Sequence, residues 1–192
     1  MSSYIKRSDC NKNNKDKDKD KDNDCCVKMT NPEPRRILLE CGQNLKSARF
    51  DLDNGVEQTF TLGRVIVDTN CLSGPKVKIE FSSIIFFQSS PGNSFGTTIE
   101  LIFTLKRSCD NGEIETILTR VYRKETQISD NVVEEIISSE PFTISFCESL
   151  DFPSCCEYIV EVSGNPANFV NIGEANVNDL SLGAFAQGVD CD

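Results

Sequence analysis

Cysteine is the residue type that offers this chain most of its chemistry. The 192 residues include ten cysteines: Cys10, Cys25, Cys26, Cys41, Cys71, Cys109, Cys147, Cys155, Cys156 and Cys191. No two have the C-x-x-C spacing by which a tight turn presents two thiolates to one zinc ion. The spacing therefore disfavours a four-cysteine zinc site, and we predict neither a metal nor a cofactor. Disulfide bonding is the chemistry that the pattern favours.

Two pairs of cysteines are directly adjacent, Cys25 with Cys26 and Cys155 with Cys156. Because neighbours on an extended chain point to opposite faces, each pair can bridge two different partners. The alternative is that several cysteines of the body are small buried apolar residues with inert thiols. That alternative does not apply to the cysteines in polar sequence, which are Cys10, Cys25 and Cys26.

Histidine is absent, although it is the side chain that most often carries acid–base catalysis near neutral pH and the commonest metal ligand. Ser-His-Asp, Cys-His and histidine–metal chemistry are therefore excluded. A catalyst of another kind would need a carboxylate pair such as Glu134 with Glu135, or Glu148 with Asp151. No glycosidase or protease motif accompanies either pair. We predict no catalytic residues and expect that the protein is not an enzyme.

A polar spacer, residues 8–24, contains no apolar side chain apart from one cysteine and alternates Lys with Asp. It cannot bury enough surface to offset the entropy of ordering, so the sequence predicts a flexible segment. The aspartates that alternate from Asp16 match the start of an EF-hand loop. However, Lys21 stands where that loop needs glycine and Val27 where it needs glutamate, so calcium binding is excluded.

The formal net charge of −10 is unevenly spread. Residues 1–36 hold ten Lys and Arg against seven Asp and Glu, whereas the remaining residues hold ten against 23. An acidic body lacks the clustered basic face that binds phosphates, so we predict no nucleic-acid partner. The first nine residues have no apolar secretory core, and no run of about 18 apolar residues predicts a membrane span. A disulfide-rich product could then reach an oxidising exterior by lysis of the producing cell.

The elements that must position the cysteines follow two prolines, Pro32 and Pro34, which block helix. We predict a flexible, cysteine-bearing arm over residues 1–35 and a β-sandwich domain over residues 36–192. In that domain apolar residues recur at period two, in runs rich in Val, Ile, Thr and Phe. We count eight or nine strands with negligible helix. Short strands at this spacing with long connections favour an all-β, jelly-roll-type sandwich.

The clearest strand covers residues 97–106, with Ile99 and Phe103 among the apolar residues of one face. An Asp-Asn-Gly turn at residues 110–112 predicts a hairpin into the next strand. The run Ile84 to Phe87 is apolar on both faces, which predicts either a central strand or one covered by another chain. The predicted core comprises Phe81, Leu101, Phe103, Phe142, Ile144, Phe146 and Val160.

The arm ahead of an all-β body, the stretch FTISFCESLDFPSCCEYIVEVSG (142–164) and the tail ANVNDLSLGAFAQ (175–187) together resemble endospore appendage subunits. These subunits form pilus-like fibres on the spores of spore-forming bacteria. The resemblance implies a jelly-roll subunit whose N-terminal arm reaches into a neighbour and is fixed there by disulfides. The matching arm residues are Cys25 and Cys26, with Cys10 an addition to the short arm of that family. The implied acceptors are among Cys109, Cys155, Cys156 and Cys191.

Two functions from different classes follow. The first is a self-assembling structural subunit of an extracellular or spore-surface fibre, a helical homopolymer whose partners are copies of itself. An edge strand can accept an extended peptide from a neighbour, and Cys25 to Met29 is the apolar piece of the arm. The alternative is a ligand-binding jelly-roll module, for example for carbohydrate. The absence of Trp and the presence of only three Tyr weaken that alternative, since sugar sites usually display aromatic platforms.

Overall fold

The structure is a computed structural model that describes residues 35–53, 55–89, 96–126 and 135–190. Within these ranges the chain forms nine strands and a short 3₁₀ helix, Pro166–Asn168. The strands are β1 (Arg35–Cys41), β2 (Ala48–Arg49), β3 (Gln58–Asp68), β4 (Leu72–Ser89), β5 (Thr97–Cys109), β6 (Glu115–Thr126), β7 (Ile137–Ser149), β8 (Cys155–Gly164) and β9 (Ile172–Asp190). No helix in this part of the chain is long and apolar enough to cross a membrane. The arm predicted for residues 1–35 lies, apart from Arg35, outside the described residues.

The strands pair into two antiparallel sheets, ordered β1-β9-β4-β7 and β3-β8-β5-β6. The two-residue β2 pairs with β9 and continues the line of β1 along that strand. Without β2, the remaining eight strands run 1-8-3-6 in the first sheet and 2-7-4-5 in the second. Each sheet thus interleaves strands from both halves of the chain, which is the arrangement of a jelly roll built from two Greek keys. The predicted fold class, a jelly-roll sandwich of eight to nine strands, is confirmed.

The core lies between the sheets and follows the period-two pattern of the strands. In β5 the inward residues Ile99, Leu101, Phe103 and Leu105 are fully buried, while the residues between them are half-buried. Of the seven predicted core residues, Phe81, Leu101, Phe103, Ile144 and Val160 are buried.

Phe142 and Phe146 were predicted to be core residues, but they are only half-buried. Both pack against the core. Both lie on β7, which in the described part of the chain is the last strand of its sheet and has a neighbouring strand on one side alone. Phe142 nevertheless stacks on Phe103, with ring centroids 4.1 Å apart.

The apolar run Ile84 to Phe87 lies in β4, which has β9 on one side and β7 on the other. Ile85 and Phe87 are buried in the core, and Ile84 and Phe86 are half-buried on the outer face. The central-strand alternative is therefore the one that the structure shows.

The hairpin between β5 and β6 has its turn at the predicted location. Its two central residues are Asp110 (φ 50°) and Asn111 (φ 59°), and the Gly112 N–H donates to the Cys109 carbonyl at 2.8 Å. Positive φ at both central positions defines a type I′ turn, which Asp and Asn tolerate.

Candidate assembly surface

The last residue of β5, Cys109, lies directly opposite Cys156 of β8. The two sulfurs are bonded at 2.05 Å, and their Cα atoms are 4.0 Å apart. Both were predicted among the candidates for links to a neighbouring subunit. In the structure the antiparallel register instead brings the two side chains together within one chain. Cys109 and Cys156 therefore form an intrachain disulfide, and neither is a free thiol.

Cys155 precedes Cys156 and points the other way, as expected for neighbours on a strand. Cys156 is fully buried, whereas Cys155 is half-buried with a free thiol. Burial raises the pKa of the Cys155 thiol, and the nearby carboxylates of Asp68 and Asp110 raise it further. Since the thiolate is the reactive form, Cys155 is held in its less reactive state near neutral pH.

The turn between β3 and β4 carries Cys71, whose free thiol is exposed. Thr69 of this turn contacts the loop before β8, because both its N–H (2.9 Å) and its hydroxyl (2.8 Å) donate to the Ser154 carbonyl. The hairpin turn joins the same group, since the Asp110 N–H donates to the Cys155 carbonyl at 2.9 Å. We call this group of loops, with Cys71, Cys109, Cys155 and Cys156, the cysteine end of the sandwich.

Both ends of the described chain also lie at the cysteine end. Asp190 pairs with Leu72, and Arg35 pairs with Val189. The first described residue, Arg35, thus lies at this end of the sandwich. The remaining predicted disulfide candidates, Cys10, Cys25, Cys26 and Cys191, lie outside the described residues, and their links stay predictions.

A second surface is the outer face of the β1-β9-β4-β7 sheet, which we call the outer face. One row across it consists of Leu39, Phe185, Lys78 and Cys147, each paired with the next. Leu39 is 64% exposed, Phe185 40%, and Ile37, two residues before Leu39, 67%. Grooves of about 480 and 560 Å³ lie along this face. It thus presents apolar side chains to solvent across two adjacent strands.

Cys41 and Cys147 carry free, exposed thiols at opposite edges of the outer face. Cys41 lies on β1 and Cys147 on β7, with β9 and β4 between them. Three inter-strand steps of about 4.8 Å and an offset of two residues along the strands separate their positions by about 16 Å. A disulfide requires Cα atoms within about 7 Å, so these two thiols cannot bond to each other in the folded sheet. Neither residue was among the predicted disulfide candidates.

The charged groups of β7 join the two sheets rather than forming an open site. Glu148 accepts a hydrogen bond from the buried Tyr158 hydroxyl at 2.7 Å and pairs with Arg107. Burial, followed by the bond to Glu148, raises the pKa of Tyr158. Glu148, named above as half of a carboxylate pair, is thus engaged in an inter-sheet ion pair.

Glu140 makes a second link of this kind further along β7. It pairs with Lys124 at 2.5 Å and accepts from the Tyr122 hydroxyl at 2.9 Å. The Lys124 hydrogen bond is the largest cause of a lowered pKa at Glu140. Across the described ranges, no three Cys, Asp or Glu side chains are grouped so as to hold a metal ion.

A family profile described as a domain of unknown function, DUF4489, matches residues 36–187. The chain belongs to the DUF4489 family. This match covers the sandwich from β1 to near the end of β9, and so includes both the outer face and the cysteine end. A comparison with curated proteins finds no match.

Solved structures similar to the DUF4489 chain include three β proteins of low identity. A chain of infectious bursal disease virus, Gx strain, is 11% identical with a TM-score of 0.42; the match covers 80% of this chain and 32% of that one. The DUF4489 chain thus spans about a third of the viral chain. A CBM35 domain from Cellvibrio japonicus is 13% identical (TM-score 0.25; 76% and 96% covered). The CBM22-1 xylan-binding domain from Paenibacillus barcinonensis is 12% identical (TM-score 0.25; 83% and 99% covered).

Proposed function

We propose that this DUF4489 protein is a structural, non-catalytic subunit that assembles with copies of itself. The product is an extracellular or spore-surface fibre, related to the endospore appendages that the sequence resembles. Subunits are joined head to tail by the N-terminal arm, and inter-subunit disulfides lock the joints.

The observation that carries this proposal is the position of the free thiols on the body. Cys41 and Cys147 face outward on the two end strands of the sheet, about 16 Å apart. Neither can bond to the other within the sheet, so any disulfide that they form needs a cysteine elsewhere on the chain or on another molecule. Apolar Leu39, on the strand of Cys41, and Phe185, on the next strand, offer a contact surface next to the thiols.

The arm has the length and composition to serve as the connector. Arg35 lies nine positions after Cys26, and nine extended steps span about 30 Å. That reach exceeds the breadth of the sheet, so an arm cysteine can reach a neighbouring subunit. Cys109 and Cys156 are already bonded to each other, which leaves Cys41, Cys71, Cys147, Cys155 and Cys191 as the acceptors that we propose.

The mode of joining follows from the sandwich architecture. Among the described residues, each sheet ends in strands with an unpaired edge, and an extended apolar peptide can add to such an edge. A contact between an arm and a different surface is heterologous, so it propagates as a helix when its rotation does not close a ring. Strand addition creates the polymer, and the disulfides make it resistant to heat and detergent.

Two arm variants test the proposal when compared with the full chain by negative-stain microscopy and by gels with and without reductant. Deleting residues 1–31 should abolish fibres. Cys25→Ala combined with Cys26→Ala should leave fibres that dissociate in hot detergent. Cys155→Ala is the matched control, since it removes one acceptor thiol of the body and should leave a covalent ladder. Fibres formed by the truncated chain as readily as by the full chain would refute the connecting role of the arm.

A further inference from the structure

The fibre proposal needs one end-strand edge for the arm and does not assign it to a particular strand; among the described residues β1 is one of four end strands, and its open edge fits a different partner. We propose that β1 pairs with β1 of a second copy, antiparallel, about a two-fold axis at Leu38. The two β1-β9-β4-β7 sheets then become one continuous sheet across a dimer. This contact is isologous and does not depend on the arm, so it stands or falls separately from head-to-tail assembly.

Strand β1 exposes both apolar side chains and one backbone edge. Within the described residues β1 is hydrogen-bonded to β9 alone, so its other edge has no strand beside it. Ile37 and Leu39 point outward and are about two-thirds exposed, and Leu38 is half-buried on the inner side. An apolar strand with an unpaired edge is a template for another strand. The edge is therefore suited to pairing.

One hydrogen bond at the end of β1 identifies the backbone groups that face the open edge. The Gly42 N–H donates to the Leu182 carbonyl at 2.8 Å, directly after the paired residues Cys41 and Gly183. Hydrogen-bonded pairs alternate along an antiparallel ladder, and this ladder has no bulge. Even-numbered residues of β1 thus direct their N–H and C=O groups at β9. Odd-numbered residues, such as Ile37 and Leu39, direct theirs at the open edge.

This alternation limits the registers that two copies can adopt. Odd-numbered residues of one copy must lie opposite odd-numbered residues of the other, because these residues carry the groups that face the edge. The two-fold axis must therefore pass through a residue and not between two residues. An axis at Ile37 places Arg36 opposite Leu38, and an axis at Leu39 places Leu38 opposite Glu40. Both set a charged side chain against an apolar one. Cross-strand partners contribute directly to sheet stability, so these two registers are disfavoured.

An axis at Leu38 gives complementary partners at every position of the strand interior. Ile37 lies opposite Leu39 of the second copy, Leu38 opposite Leu38, and Arg36 opposite Glu40. The residue sequence of β1, RRILLEC, is in this sense self-complementary when read antiparallel. On the outer face each Leu39 already has Phe185 beside it, so the pairing extends an apolar row from one copy into the next.

Sedimentation in reducing buffer, which removes disulfide links, is the test, and it is run on the full chain and on the chain without residues 1–31. The shortened chain lacks the connecting arm, so we expect it to show a monomer–dimer equilibrium rather than fibres at concentrations up to about 0.1 mM. Ile37→Pro deletes an N–H that faces the open edge and is not used by β9. Because the two-fold axis repeats the contact, the substitution removes that hydrogen bond twice. The dissociation constant of the dimer should therefore rise about thirtyfold. Ile37→Ala is the matched control, which keeps the N–H and should weaken the dimer less than Ile37→Pro does.

A charge exchange tests the register. Arg36→Glu and Glu40→Arg should each weaken the dimer, and the two together should restore it, because opposite charges then face each other again. Circular dichroism and melting temperature should show that every variant remains folded. A strictly monomeric chain, a dimer insensitive to Ile37→Pro, or single and double charge variants of equal affinity would overturn the proposal. Loss of the dimer on deleting residues 1–31 would also overturn it, and would assign the edge to the arm.

Discussion

Removing the disulfide between Cys109 and Cys156 should lower the free energy of unfolding of the sandwich substantially. The two residues are separated by 47 positions, and the bond closes the loop that contains β6 and β7. The loss of loop-closure entropy in the unfolded chain predicts a stabilisation of about 4 kcal/mol at 25 °C. For a domain of this size that corresponds to a fall in melting temperature of about 8–16 °C.

The assay is urea unfolding of Cys109→Ala with Cys156→Ala, followed by circular dichroism. Cys155→Ala is the matched control, because Cys155 is adjacent but free, and it should change stability little. Reductant should lower the stability of the wild type to that of the double variant and leave the double variant unchanged. A double variant within about 1 kcal/mol of the wild type would show that the two sulfurs do not constrain the folded chain.

Three further predictions concern single side chains. Phe103→Ala should cost about 3–5 kcal/mol in urea unfolding, because Phe103 is fully buried; an unchanged midpoint would place it at the surface. Near neutral pH the Cys155 thiol should react more slowly with iodoacetamide than the exposed Cys71 thiol, as peptide mass spectrometry can measure, since burial raises the Cys155 pKa. The pKa of Glu140 is lowered in the folded state, so its contribution to stability is present above the unfolded pKa and is lost as pH falls through the folded one. Glu140→Gln should therefore make the melting temperature less dependent on pH between about 5 and 3, and an unchanged dependence would contradict that assignment.

The alternation of side chains along the strands could be predicted from the sequence because burial imposes it directly. Ile99, Leu101 and Phe103 share one face, and the structure buries all three. The half-burial of Phe142 could not be predicted in the same way, since it depends on β7 being the last strand of a sheet. That position is set by long-range pairing, which leaves no local signature in the strand itself.

The disulfide partners show the same limit. Ten cysteines permit many pairings, and the bond between Cys109 and Cys156 follows from the register of β5 against β8. The outward position of the Cys41 and Cys147 thiols, in contrast, could have been predicted from the sequence. Each continues the solvent-facing positions of its strand at period two, and Cys41 lies two residues after the exposed Leu39. Assigning faces strand by strand could have identified them.

The position of β9 has a consequence for how the chain is made. β9 is the last described strand, yet it lies between β1 and β4 in its sheet. During synthesis β1 has no hydrogen-bonded neighbour until residues 172–190 have left the ribosome, and β4 has β7 alone. The sheet therefore closes only after residues 172–190 have been synthesised, and pairing between β1 and β9, which are far apart in the sequence, makes for slow folding. Until then the apolar edge of β4 is open to other nascent chains, so a ribosome that stalls before residue 172 releases an aggregation-prone product.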